Sequence, residues 1–232
     1  NLAIDGRYKK MLSYKKKNYA LLDYHDKIII KGSSLISRSI EKFGKHFVQQ
    51  CIDALLNGNV AGLHQLYTDL SRDISDHKLS VMDFARTETL KDSLERYSEE
   101  VESGKRNRAA SYEAALGSGL SWKAGSKVSY YISGSETSGK GFEQSKLADL
   151  WDPNFPDENT QYYLKRLDEL SKKFEVFFQP QDFQSIFSLE GLFPFSPEGI
   201  RILNMPVEKS DFEDIDMADT PHVDPKIWLG DV

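Results

Sequence analysis

Cysteine is almost missing from this 232-residue sequence, where Cys51 stands alone. One cysteine excludes an internal disulfide and any cysteine-built zinc centre, and it fits a reducing, cytoplasmic compartment. Long apolar runs are missing too. The longest are stretches such as Ile28-Ile29-Ile30, far short of the roughly 18 to 20 residues that span a bilayer. No basic-then-apolar leader opens the chain, and no membrane partner is expected. The histidines His25, His46, His64, His77 and His222 show no ligand pairing of the HExxH kind, so neither a metal centre nor a nucleophile and its base is read from them. Positive charge is in deficit, with 30 Lys and Arg against 36 Asp and Glu and a net charge of −6.

That deficit hides a concentration. The span 7–17 holds Arg7, Lys9, Lys10, Lys15, Lys16 and Lys17 and no acid; the rest of the chain keeps 24 basic against 36 acidic residues, a balance of −12. A compact positive segment on an acidic body makes a strong local field, which matters more to a polyanionic partner than net charge. The chain opens on Asn1 rather than Met and is read as a piece of a longer protein.

Residues 18–31, NYALLDYHDKIIIK, set two short apolar stretches about His25-Asp26, which predicts a tight hairpin. Ser33 or Ser34 is the expected cap of a helix with apolar positions Ile36, Ile40, Phe43, Phe47, Cys51 and Leu55 in steps of three and four, stopped at Asn57-Gly58. A second helix with Leu63, Leu66, Tyr67 and Leu70 on one face would pack against it. From Leu79 the pattern fits neither period, and 99–108 reads as a charged connection before a short helix in AASYEAAL. In KVSYYIS, Val128, Tyr130 and Ile132 alternate with Ser129, Tyr131 and Ser133, the period of a half-buried strand. Residues 133–141 read as a loop. Tyr163, Leu167, Leu170 and Phe174 mark one more long helix, 182–189 a short one, and the acid-rich stretch from Pro206 an exposed tail.

Lys16-Lys17-Asn18-Tyr19, followed by Ala20-Leu21-Leu22, resembles the KKxY motif that joins palm to thumb in family B DNA polymerases. Downstream blocks keep the family's order. Lys27-Ile28-Ile29-Ile30-Lys31-Gly32 is similar to its KIxIKG strand, and Arg38 falls where its arginine-rich segment begins a long helix. Thr87-Glu88-Thr89-Leu90 through Leu94 to Tyr97 resembles ITKxLxxxLxxY. Arg108-Ala109-Ala110 and the stretch from Gly117 to Tyr131 are similar to the HVxAA and GDxVxYVI blocks; Asp157-Glu158-Asn159, Tyr162-Tyr163-Leu164 and Arg166-Leu167 resemble the closing thumb helix. Similarity covers roughly residues 10–175. The departures are Ser37 and Ser39 around Arg38, and Glu88 in place of a lysine, so the resemblance implies a weaker grip at those points.

The resemblance implies an α+β chain: 1–33 the end of the palm with a β-hairpin, 34–205 a mainly helical thumb with minor strand content, and 206–232 an acidic tail. It implies contact with primer-template DNA, through phosphates and the minor groove, by Lys16, Lys17, Tyr19, Lys31, Arg38, Arg106 and Arg108. Phosphate contact releases counterions and gives affinity without reading sequence, which suits a protein that must slide on any template. The family's metal-binding carboxylates lie in DxxSLYP and DTDS motifs upstream of KKxY, and neither occurs here. Magnesium and dNTP are thus expected in the complete enzyme with its catalytic part, fused or separate, and no catalytic residue or cofactor in this piece.

Two other readings compete. Gly134-Ser135-Glu136-Thr137-Ser138-Gly139-Lys140 matches the P-loop pattern GxxxxGK after a strand, yet Gly141 stands where Ser or Thr would bind magnesium. A flexible loop is the simpler reading. The third is a non-enzymatic interaction module with an acidic tail. Duplex binding separates the first reading, Lys140-dependent ATP binding the second, and neither activity the third.

Overall fold

The computed structural model describes residues 6–37, 40–135, 141–189 and 195–203. Its basic N-terminal run folds as a strand, which the lysines conceal in the sequence. β1 (Lys10–Lys15) pairs antiparallel with β2 (Asn18–Leu22), and β2 with β3 (Ile28–Lys31), so the predicted hairpin is two arms of a three-stranded meander. Leu12, Ala20 and Ile30 stand opposite one another, with Leu12 and Ala20 fully buried. The next row, Ser13, Tyr19 and Lys31, therefore lies on the other face. The polar turn between β2 and β3 closes on Asp23, whose Oδ1 accepts from the backbone N–H of His25 and of Lys27, both at 2.8 Å.

The first helix begins later than the apolar spacing predicts. α1 runs Lys42–Leu56 with Glu41 as its N-cap, so neither Ser33 nor Ser34 caps it. Ile36 and Ile40 lie in the incoming segment, Ile40 buried and Ile36 packed partly buried against the core, so their spacing reports packing rather than a helical turn. After 57–59 the chain returns in α2 (Val60–Ser75), where the Asn59 side chain accepts from Gly62 N–H at 2.8 Å. α6 (Thr160–Ser171) packs against both helices, through the Phe43 and Tyr163 rings at 6.1 Å and a Tyr67 hydroxyl that donates to Asp168 at 3.1 Å. Phe174 belongs to the 3-10 segment Lys172–Phe177 that follows, and α7 (Pro180–Ile186) lies against α2.

The ambiguous stretch from Leu79 is two elements in turn, α3 (Val81–Phe84) and β4 (Arg86–Thr89). β4 pairs antiparallel with β5 (Lys127–Ile132), and β5 with β6 (Ser145–Leu147). β5 corrects the half-buried reading: Val128, Tyr130 and Ile132 are buried, but so is Tyr131 at 1% exposure. It is the central strand, and Tyr131 packs edge-on to Phe84 while its hydroxyl donates to Asp157 at 2.6 Å. A further helix, α4 (Leu94–Glu102), capped by Ser93, runs into the charged stretch and is followed by α5 (Ala110–Gly117). One core joins both sheets and the helices, from Leu12 and Ala20 through Phe47 and Ile52 to Phe174, Phe177, Val128 and Tyr131. The chain is α+β, and no helix among the described residues is long and apolar enough to cross a membrane.

Candidate nucleic-acid interface

The register of the first sheet decides where the three consecutive lysines go. Lys15 ends β1 opposite Asn18, and Lys16-Lys17 form the turn, so they do not alternate as an extended segment would but crown the hairpin tip. All three are exposed. Lys17 sits at φ 63°, in the left-handed region, which costs a residue with a Cβ about 1 kcal/mol or more and persists only where the surroundings hold it. The holding groups are identifiable. Asn18 Nδ2 donates to the Lys16 carbonyl at 2.9 Å, and Asn18 Oδ1 accepts from Ser34 N–H at 2.8 Å. Gly32, at φ 87°, lets the chain after β3 close over the turn: a Cβ there would lie 2.5 Å from the Lys17 carbonyl oxygen.

Tyr19 is half-buried between Ser13 and Lys31, so the sheet brings Lys16, Lys17, Tyr19 and Lys31 to one end of the meander. Among the described residues no carboxylate pairs with Lys15, Lys16, Lys17 or Lys31. Lys9 of the same run is spent on Asp26 at 2.6 Å. Arg38 lies outside the described residues.

Arg106 and Arg108 sit elsewhere, at the junction of α4 and α5, and their charges are met within the chain. Arg106 Nη1 lies 3.0 Å from Asp92 and 3.4 Å from Glu100, with its guanidinium 4.5 Å over Tyr112 and 5.1 Å over Tyr97. Arg108 holds Glu113 in a two-pronged pair, at 3.1 and 2.6 Å, and reaches Glu143 at 3.5 Å. The Arg108 hydrogen bonds keep the Glu113 carboxyl below its ordinary range against a smaller opposing effect of burial, and the Tyr97 hydroxyl, donating at 2.6 Å, acts in the same sense. Glu88, the departure from the family lysine, accepts from the Tyr130 hydroxyl at 2.7 Å.

One cation near the tip was not marked by the sequence. Lys173, in the 3-10 segment after α6, donates from Nζ to the Ser34 carbonyl at 2.5 Å, across 139 positions of chain. Its pKa is pulled down first by burial, then by the charges of Lys15 and Arg166. Only the fold brings these groups together, so no local pattern could have found them.

The P-loop pattern is not placed like a P-loop. Residues 136–140 lie outside the described residues, but the strand before them belongs to an antiparallel sheet, and a four-residue 3-10 turn, Gly141–Gln144, follows. A P-loop presents its amides at the start of an α-helix. Among the described residues no group of three or more His, Cys, Asp or Glu is arranged to hold a metal ion.

No curated protein matches the chain. It is similar to a solved structure of the family B DNA polymerase from the hyperthermophilic archaeon Pyrobaculum calidifontis, with a TM-score of 0.57 and 17% identity. The likeness covers 83% of this chain and 23% of that one, so the chain spans about a quarter of that polymerase's length. At such identity the likeness speaks for the fold alone. The family model described as DNA polymerase family B, in turn, matches residues 1–178. That match takes in both sheets and the lysine-tipped turn, and the chain belongs to family B of the DNA polymerases.

Proposed function

We propose that this chain is the palm-end and thumb portion of a family B DNA-directed DNA polymerase, and that it grips primer-template duplex without forming phosphodiester bonds. In this reading 1–33 close the palm, 34–205 form the thumb, and the catalytic part, fused or on a separate subunit, supplies the carboxylates that hold magnesium and position dNTP. The observation that carries the reading is the hairpin tip. Lys15, Lys16 and Lys17 are adjacent, exposed and without a carboxylate partner among the described residues, and the backbone beneath is fixed by Asn18 and Gly32. Cations held out of reach of internal acids remain available to phosphates. Tyr19 and Lys31 extend the same face, whereas Arg106 and Arg108 would have to leave carboxylates to join it.

Phosphate contacts carry no base information. The chain is therefore expected to bind duplexes of unrelated sequence with similar affinity, measured by fluorescence anisotropy, and Lys16→Ala with Lys17→Ala to weaken all of them alike. Strong preference for one sequence, or undiminished affinity in the double variant, would contradict the proposal.

A further inference from the structure

We infer that Lys173 and Lys15 together form a second phosphate-binding subsite for the DNA backbone, beside the Lys16-Lys17 tip; this rests on the duplex-gripping reading above. The segment that carries Lys173 is anchored in the core, because Phe174 and Phe177 in the same 3-10 turn are fully buried. The end of β1 is drawn to it: the Tyr14 ring lies 6.5 Å from that of Phe177, and Lys15 Nζ lies 5.0 Å over Tyr14. The charges of Lys15 and Arg166 both act on the Lys173 ammonium, and both are positive.

Three partly buried arginines make the contrast. Arg86 faces Glu41, Arg106 faces Asp92 and Glu100, and Arg166 faces Glu41 and Glu169. Lys173 has no carboxylate within ion-pair distance among the described residues, and the Ser34 carbonyl uses one of its three N–H donors. A partly desolvated ammonium beside the like charge of Lys15, which no carboxylate among the described residues meets, is unfavourable until an anion arrives. A phosphate between Lys15 and Lys173 supplies that anion and uses the open donors. It also reaches the tip, for Lys173 donates to the Ser34 carbonyl, Ser34 N–H to Asn18, and Asn18 to the Lys16 carbonyl.

The test is the salt dependence of duplex binding by the full 232-residue chain and its K173M and K173R variants. Each phosphate neutralised contributes about 0.9 to the slope of log affinity against log salt. K173M is expected to lose about one unit of slope, and K173R to keep the wild-type value. A K173M protein with the wild-type melting temperature and an unchanged slope overturns the subsite. If K173M does not fold, lysine side-chain NMR of the wild-type chain decides: saturating duplex must raise the pKa of Lys173, and an unmoved pKa overturns the inference. A flat salt slope in the wild type would instead bring down the duplex-gripping reading itself, whatever the variants do.

Discussion

Lys17 occupies a backbone conformation that glycine adopts freely, and yet a lysine stands there at φ 63°. On the duplex-gripping proposal, the need for a charge at the tip accounts for accepting that strain. The two roles separate in Lys17→Gly, which relieves the left-handed strain while removing the ammonium. Chemical denaturation should find this variant as stable as the parent or more stable by up to about 1 kcal/mol, while a duplex titration finds it weaker. Lower stability with full affinity would reverse both assignments. The KKxY resemblance marked this tip in the sequence because it is local, four residues long and contiguous. The pairing of Arg106 and Arg108 is hidden from the sequence for the opposite reason: the acids that meet them, from Asp92 to Glu143, are brought to them by folding. The placement of Lys173 beside Ser34 is hidden on the same ground.

Whole elements were legible where burial follows one period and obscure where charge or tertiary context interrupts it. β2 and β3 announce themselves through apolar arms about a polar turn, and α2 and α6 through one apolar face. β1 hides because its inward Leu12 and Tyr14 lie among lysines, and α4 because Leu94, Tyr97 and Val101 are its only apolar marks. The apolar spacing overextends α1 because Ile36 and Ile40 share its phase. Two changes probe how these elements are held. Asn59→Ala removes the side chain that caps α2 and should cost about 1 kcal/mol in urea denaturation. Glu113→Gln loosens the α4–α5 junction, where Glu113 meets Arg108 and the Tyr97 hydroxyl. Because folding lowers the Glu113 pKa from its ordinary 4.5, its stabilisation is complete above that value and lost as pH falls through the lower folded one. Thermal melts should show the variant less stable at neutral pH, with the difference shrinking below about pH 4.5; a constant gap down to acid would show that Glu113 does not act through its charge.

At the scale of the molecule, an acidic chain presents at one end of its first sheet a cluster of lysines that no carboxylate among the described residues meets, whereas Arg106 and Arg108 are paired with acids. The family match and the α+β architecture place that cluster within a polymerase fold, and Gly32, Asn18 and Ser34 tie it to the helices behind. The most direct measurement is the dependence of duplex affinity on salt concentration for the wild-type chain and for Lys16→Ala with Lys17→Ala. The wild type should show a steep negative slope of log affinity against log salt, shallower by about two units in the double variant, since each lysine neutralises one phosphate. Equal slopes would contradict the account.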